Sequence, residues 1–410
     1  MDHPLGKEKL SKLIIQYSIP SIISFVVNSL YNMVDQVFIG QGVGYLGNAA
    51  TNVIMPLTTI MLALGLMIGD GAAAFMSLNL GQGNKKEARK SVGNMCVLTL
   101  IAGILLMIVF ELFLRPLALL FGATETVMPC ALNYGRIIVL EFPFYTVSIA
   151  FASIIRADGR PNETMRGLLI GCITNIILDP VFIFIFKMGV QGAALATIIE
   201  QFLNAVYFVV CIFRFKTFEL KAEDIKLDRK ISTKIITLGT SSFITQIAVV
   251  LVIGVMNNLL VNYGGQSKYG ADIPLATFGI TMFTSVAVML LALVIFQIFP
   301  QNITALFGQE SDLYMEFAVK SFRIFLLACF LQLVASVAGI FFQSIGKPVL
   351  SAVCSMSRQI VFMIPSMILL GKLSGIEGIL WAGPVADTFS AVIAGAMLML
   401  FWKKIFKEKL

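Results

Sequence analysis

Residues 92–114 read VGNMCVLTLIAGILLMIVFELFL, a stretch in which Glu111 is the only charged side chain. A helix needs about 20 apolar residues to cross a hydrocarbon layer roughly 30 Å thick. Runs of this length recur along the chain, and they are continuous and rich in Leu, Ile, Phe, Met and Ala. They predict an all-α polytopic membrane protein and not a barrel, whose strands alternate apolar and polar residues over shorter segments.

The composition of the whole chain agrees with a lipid environment. Of 410 residues, 58% are apolar and 13% are charged, and the mean hydropathy is +0.90. A water-soluble domain of this composition could not cover itself with polar side chains. Eleven spans are predicted, at 14–39, 50–79, 92–114, 127–151, 164–186, 190–213, 234–262, 275–300, 313–342, 348–371 and 376–402.

Basic residues concentrate in alternate loops, and this pattern predicts the orientation of the spans. A net charge of +7 would suggest nucleic-acid binding in a soluble domain, but here Lys and Arg occupy short loops, as the positive-inside bias produces. We therefore expect no nucleic-acid partner and place the basic loops in the cytoplasm. These segments are 7–12, 85–90, 156–166, 214–234, 347–358 and 403–409.

The chain repeats itself at long range, as several transporter folds do. Three motifs recur at an offset of 186 or 187: Leu120-Phe121-Gly122 as Leu306-Phe307-Gly308, Gly159-Arg160-Pro161 as Gly346-Lys347-Pro348, and Met188–Gly192 as Ser374–Gly378. The repeat predicts two pseudo-symmetric helical bundles. The first occupies 1–213 with six spans, a cytoplasmic linker follows at 214–233, and the second bundle occupies 234–410.

The second bundle is shorter than the first by about one span. Tyr17–Ser21 aligns with Leu238–Ser242 at an offset near 221, so about 35 residues are missing before the third span of the second bundle. The loops 263–274 and 301–312 both read as external, yet only one crossing separates them. We predict that a span and its basic loop are absent near 282–284, which leaves five of six spans. A true eleven-span or re-entrant variant is the alternative; the full twelve-span form would have both termini in the cytoplasm.

Oxygen-rich side chains form stripes on three helices of the first bundle, because positions three, four and seven apart share a helix face. The stripes are Asn28, Asn32 and Asp35 in the first span, Asn175 and Asp179 in the fifth, and Thr197, Gln201 and Asn204 in the sixth. An Asp at the membrane centre costs about 2.5–3.5 kcal/mol on insertion scales, so the stripes are expected to face one another. Hydrogen bonding between helices is the alternative role of Asn28, Gln201 and Asn204.

The two aspartates predict a cation site. Two carboxylates in a dry cavity cannot both stay ionised without a cation, so Asp35 and Asp179 should bind a proton, a Na⁺ through hard oxygen ligands, or a cationic substrate. Competition among these three is the predicted coupling mechanism. Glu141, beside Phe142-Pro143, and Glu200 are further candidates for pairing with a substrate charge, whereas the roles of Glu111 and Asp387 stay open.

Several classes of site lack the residues they need. His3 is the only histidine, and the six cysteines form no CxxC motif, so neither a metal site of His and Cys nor a His-based catalytic site is expected. No glycine-rich segment has the setting of a phosphate-binding loop. We therefore expect no enzyme activity and no cofactor, and transport driven by an ion gradient or by a partner.

These residues resemble the multidrug and toxic compound extrusion (MATE) family in a bacterial form. The resemblance rests on Ser18-Ile19-Pro20, Asn32-Met33-Val34-Asp35, Gly159-Arg160-Pro161, Asn175 to Pro180, and Gly192-Ala193-Ala194-Leu195-Ala196-Thr197. It implies two six-helix bundles in a V-shaped arrangement and antiport of drugs against Na⁺ or H⁺. It also implies ion coupling, with Na⁺ as one of the two ions, by Asp35, Asn175, Asp179 and Thr197.

We therefore expect a monomeric secondary antiporter in the bacterial inner membrane that exports small organic cations of amphipathic character by alternating access, with Na⁺ or H⁺ as coupling ion. The residues expected to bind substrate are Asn32, Glu141, Glu200 and Gln201. A lipid-linked oligosaccharide flippase of the same broader fold is the alternative. It would need several Arg or Lys in its cavity to hold pyrophosphate, whereas the intramembrane charge here is mostly acidic.

Overall fold

The structure is a computed structural model that describes residues 10–215, 217–218, 220–287, 300–306, 311–344, 350, 353–354 and 356–407. We number its α-helices in chain order. They are α1 (Leu10–Gly42), α2 (Tyr45–Gly81), α3 (Lys85–Leu120), α4 (Met128–Val139), α5 (Phe142–Ala157), α6 (Pro161–Pro180), α7 (Val190–Ile212), α8 (Arg229–Gly265), α9 (Asp272–Ala287), α10 (Pro300–Leu306), α11 (Asp312–Phe325), α12 (Gln332–Ser344) and α13 (Ile364–Lys407).

All regular structure in these ranges is helical, as predicted. Two π-helical segments, Val181–Ile185 and Ser357–Met363, follow α6 and precede α13, and short 3₁₀ turns lie at Ala222–Asp224 and Cys329–Leu331. Seven helical stretches of the described part are long and apolar enough to cross a membrane, or eight if the bent pair α4 and α5 forms one span. The prediction of an all-α polytopic membrane protein is confirmed.

The predicted spans differ from the helices mainly where a helix is broken. The fourth span, predicted as one helix over 127–151, bends by 57° between α4 and α5. Pro143 lies in the first turn of α5, where a missing N–H costs nothing, and Glu141 precedes that turn. The eighth predicted span reaches beyond Ala287, and 288–299 lie outside the described residues.

From Ser357 onward, the last two predicted spans form one helical segment that is interrupted at Gly375. Gly375 has φ 63° and ψ −139°, and its repeat counterpart Gly189, at the start of α7, has φ 59° and ψ −138°. Positive φ of this kind is accessible almost only to glycine. The two copies of the motif therefore share one backbone conformation. The counterparts Gly308 and Gly346 of the other repeated motifs lie outside the described residues.

The two predicted bundles meet along α2 and α8. A Cβ atom on Gly239 would lie 1.8 Å from the carbonyl oxygen of Met67, and one on Gly71 would lie 2.0 Å from that of Ile235. The two backbones are therefore in direct contact near the predicted cytoplasmic end. Towards the other end, the amide of Asn52 donates to Asn257 Oδ1 over 3.0 Å.

The proposed deletion near 282–284 falls on α9, whose backbone is helical from Asp272 to Ala287. The side chains of 280–299 lie outside the described residues. The absent span and the boundaries of the two bundles therefore stay predictions.

Candidate functional site

A cavity of about 330 Å³ lies between α1, α2, α4, α5 and α7. Five of the eight predicted site residues line its wall: Asn32, Asp35, Glu141, Thr197 and Gln201. Asn28 lines it as well, whereas no Lys, Arg or His lines it within the part of the chain that the structure describes. The cavity therefore has acidic and neutral polar groups on its wall without a basic side chain to compensate them.

Asp35 and Asp179 are brought together from α1 and from the last turn of α6. Their carboxyl groups are in direct contact, and Asp179 is fully buried. Gln36 Nε2 donates to Asp35 Oδ2 over 3.2 Å, but Asp35 Oδ1 and both oxygens of Asp179 have no hydrogen-bond donor among the described residues. Two such groups can remain in contact only if a proton or another cation lies between them.

Asn175 and Thr197 supply neutral oxygens near this pair. Asn175 lies one turn before Asp179 on α6, and its amide donates to Thr197 Oγ1 over 3.5 Å. Asn175 is 1% exposed, and its Oδ1 has no donor in the described part of the chain. Carboxylate, amide and hydroxyl oxygens are ligands suited to hard cations. Because no group of three His, Cys, Asp or Glu occurs among the described residues, a Na⁺ here would depend on these neutral oxygens besides the two carboxylates.

Glu141 and Glu200 form a second acidic group. Glu141, in the break between α4 and α5, is 3% exposed, and Glu200 on α7 is 2% exposed. The Oε2 atom of each has no donor among the described residues. Glu200 lies behind the cavity wall, where it accepts from Gln201 Nε2 over 3.2 Å and contacts the hydroxyl of Tyr31. The structure thus places Glu141 at the cavity and Glu200 just behind it.

Two glycines on one face of α6, Gly167 and Gly171, allow α6 and α7 to approach closely. A Cβ on Gly171 would lie 2.4 Å from the amide nitrogen of Asn204, and one on Gly167 would lie 2.4 Å from the ring of Phe208. Asn204 is therefore packed against a backbone and does not line the cavity. This close approach brings Asn175 within reach of Thr197.

The two acids whose roles the sequence left open have basic partners. Asp387 Oδ1 accepts from Arg358 Nε over 2.5 Å, and Glu111 lies 4.0 Å from Arg136 at the exposed surface of α3 and α4. Neither lines the cavity. Uncompensated acidic charge is therefore found in the first bundle around the cavity, whereas Asp387 in the second bundle is neutralised.

The chain is similar to known proteins in its sequence and in its fold. A family model described as MatE matches residues 20–181. The multidrug export protein MepA of Staphylococcus aureus is 28% identical over 278 residues, which cover 66% of this chain and 61% of that protein. The MATE multidrug transporter DinF-BH, solved in complex with R6G, superposes with a TM-score of 0.76 at 27% identity over 96% of each chain. The chain is therefore similar to MATE transporters in part of its sequence and, over nearly its whole length, in its fold.

A second solved MATE family transporter, described as inward-facing, gives a TM-score of 0.82 at 20% identity and covers 96% of this chain and 99% of that one. These comparisons confirm the predicted resemblance to the MATE family and the multi-pass membrane fold, and the proteins named in them are transporters and not enzymes. The first MepA match spans only 61% of that relative's length, and the family model ends before Thr197.

Three tyrosines at the cavity were missed by the sequence analysis. Tyr31, Tyr134 and Tyr145 all line the wall. Tyr31 lies four residues before Asp35, so the helical spacing that identified Asn28 and Asn32 could have identified it. Tyr134 and Tyr145 lie on either side of the break between α4 and α5, and that break has no clear signal in the sequence.

Proposed function

We propose that this protein is a secondary active antiporter that exports cationic amphipathic compounds in exchange for Na⁺ or H⁺ by alternating access. The observation that carries the proposal is the contact between Asp35 and Asp179 beside a cavity whose described lining residues include no basic side chain. A pair of buried carboxyl groups binds one cation at a time, since charged groups out of water must be compensated. Binding of a cationic substrate then releases the coupling ion, and binding of the coupling ion releases the substrate.

In this mechanism the predicted residues divide into two groups. Asp35, Asn175, Asp179 and Thr197 hold the coupling ion, and their mutual contacts support this role. The residues that receive the substrate are Asn32, Glu141, Gln201 and Glu200, of which three line the cavity. The names of the relatives support the substrate class, because MepA is described as a multidrug export protein and DinF-BH was solved with R6G.

Polar contacts between the two halves near the predicted external end support alternating access. Thr124 Oγ1 donates to Asp272 Oδ1, Asn258 Nδ2 donates to the carbonyl of Leu120 over 2.8 Å, and Asn52 donates to Asn257. Hydrogen bonds of this kind are worth about 0.5–1.5 kcal/mol each, so they can break when the cavity opens outward.

An oligosaccharide flippase is the competing function, and the lining residues argue against it. Such a protein must compensate a pyrophosphate with basic side chains, whereas the wall residues that the structure describes include Asp35 and Glu141 and no Lys or Arg. Bringing a diphosphate next to these acids would add repulsion in a medium of low dielectric constant.

We also propose that the second bundle lacks one span relative to its relatives. The 433-residue alignment with a MepA sequence takes in 96% of the 410 residues, about 394, so about 39 aligned positions lie opposite no residue of this chain. This number supports the roughly 35 residues expected from the internal repeat.

Ethidium efflux from proteoliposomes under an imposed Na⁺ gradient, and then under a pH gradient, tests the function. At least one gradient should drive efflux by the native protein, and Asp35→Asn should abolish that dependence because it removes one carboxylate of the pair. Glu111→Gln, an exposed acid outside the cavity, is the matched control and should keep full activity. Full gradient-driven efflux by Asp35→Asn, or none by the native protein, would refute the proposal.

A further inference from the structure

A relay of hydrogen bonds, made by Asp35, Gln36 and Thr51, connects the aspartate pair with α2. Gln36 Nε2 donates to Asp35 Oδ2 over 3.2 Å, and Thr51 Oγ1 on α2 donates to Gln36 Oε1 over 3.0 Å. Gln36 is 1% exposed and Thr51 is 4% exposed. All three residues of the relay also line the cavity. A positive charge that enters the cavity therefore comes close to the whole relay.

The relay has two arrangements, because an amide has a donor side and an acceptor side whereas a hydroxyl can donate or accept. In the structure the amide nitrogen of Gln36 faces the carboxylate of Asp35. Positive charge beside this carboxylate repels the N–H group and attracts the amide oxygen, so the amide turns over. Its nitrogen then donates to Thr51, whose single hydrogen needs another acceptor. The carbonyl oxygen of Asn48 lies 2.9 Å from Thr51 Oγ1 and supplies that acceptor.

The same turn of α2 also contacts the second bundle. Asn52 Nδ2 donates to Asn257 Oδ1 and to the carbonyl of Leu275, in each case over 3.0 Å. A Cβ on Gly279 of α9 would lie 2.8 Å from the Cβ of Asn52 and 3.5 Å from the carbonyl oxygen of Asn48. We call this contact of Asn48 and Asn52 with α8 and α9 the external seam. One turn of helix thus joins the relay to the boundary between the bundles.

Unsatisfied polar atoms make the closed external seam easy to open. Asn48 is 0% exposed, and neither its Nδ2 nor its Oδ1 has a hydrogen-bond partner in the part of the chain that the structure describes. Asn52 Oδ1 is buried and lacks a partner among these residues in the same way. A buried polar group without a partner costs about 1–3 kcal/mol, and water that enters an open seam removes this cost. A small change in the relay is therefore enough to shift the balance between closed and open.

We infer that Gln36 and Thr51 transmit the arrival of a cationic substrate at Asp35 to the external seam. This inference rests on the proposed antiport function and names the residues that couple binding to opening. When Thr51 donates to the carbonyl of Asn48, α2 bends near its start, because a hydroxyl that bonds a carbonyl of its own helix often bends that helix. The bend draws Asn52 away from the second bundle, and the external seam opens. Gln36 and Thr51 are thus positioning residues, which act through α2.

The test measures the distance between the bundles at the external end with spin labels. Glu125→Cys, in the loop after α3, and Gln266→Cys, in the loop after α8, are both exposed positions, and they are labelled in a variant without the native cysteines. Double electron–electron resonance is recorded on the purified protein with and without saturating ethidium at fixed pH. With the relay intact, ethidium should raise the ratio of open to closed populations at least about fivefold, the lower end of typical couplings between sites.

Two pairs of variants separate the relay from the general polarity of the cavity. Thr51→Val keeps the shape of the side chain without its hydroxyl, and Gln36→Leu breaks the relay at its other member, so in each the ratio should change less than about twofold, below typical couplings. Thr51→Ser keeps the hydroxyl and should keep the full response. Thr58→Val is the matched control, because Thr58 also lies on α2 and lines the cavity but donates to the carbonyl of Met55 in its own helix.

Three results would overturn the inference. They are an unchanged ratio when ethidium binds to the protein with the relay intact, a full response in Thr51→Val and Gln36→Leu, and an equal loss of response in Thr58→Val. Ethidium binding, followed by dye fluorescence, reports that each variant is folded. Gradient-driven efflux by the native protein is measured separately, so efflux without a response that depends on the relay refutes this inference alone, whereas absence of efflux refutes the antiport proposal.

Discussion

The contact between α2 and α8 makes Gly239 a site where one methyl group should have a large effect. In Gly239→Ala the new Cβ would lie 1.8 Å from the carbonyl oxygen of Met67, with the backbone carbon at 2.6 Å. Ordinary contacts of a Cβ begin near 3.4 Å, so the helices must separate by more than an ångström. Backbone atoms cannot rotate away as a side chain can, and overpacking of this kind typically costs about 1–3 kcal/mol.

The assay is reversible unfolding of the purified protein in a titration with SDS, followed by the loss of helical circular dichroism. Gly265→Ala, at the end of the same helix, is the control because a Cβ there meets nothing within 4 Å. It should leave the free energy of unfolding within about 0.5 kcal/mol of the native value, as surface substitutions usually do. If Gly239→Ala is as stable as Gly265→Ala, the backbone contact between the bundles is not what the structure describes.

Two further predictions concern a buried ion pair and the orientation of the chain. Arg358→Ala leaves Asp387 buried without its partner and should lower the free energy of unfolding by about 3–5 kcal/mol in the same titration. The double variant Arg358→Met with Asp387→Leu removes both charges and should recover most of that loss. An equal loss in both variants would contradict the reasoning. The second test labels single cysteines on intact cells, in a variant without the native cysteines. Lys268→Cys should react with a membrane-impermeant maleimide and Lys86→Cys should not, because the basic loop 85–90 is predicted to be cytoplasmic. The opposite labelling would invert the assigned topology.

Local sequence patterns predicted the helices and much of the site, because the information is contained within single helices. The four-residue spacing of Asn175 and Asp179 fixes one face of α6, and the interruption predicted between the spans 348–371 and 376–402 contains Gly375, where the structure has a positive φ. The cost of burying Asp35 in lipid predicted that it would face other polar groups, and it contacts Asp179.

Features that depend on the packing of several helices could not be predicted in the same way. Glu200 and Thr197 are three residues apart on α7, yet Thr197 lines the cavity and Glu200 lies behind it beside Tyr31. The bend between α4 and α5 is 57° although the nearby proline lies in the first turn of α5, a position where proline is well tolerated. Spacing alone does not pair Asp387 with Arg358, which lies 29 residues away.

The number of protons released when ethidium binds tests the shared cation of Asp35 and Asp179 most directly. The measurement is made with purified protein in weakly buffered, Na⁺-free solution, where a proton is the only small cation available to the pair. The native protein should release protons as the dye binds, and the double variant with Asp35→Asn and Asp179→Asn should release fewer at every dye concentration, since of the described buried carboxyl groups near the cavity only Glu141 and Glu200 remain. Equal proton release by the native protein and the double variant would contradict the exchange mechanism.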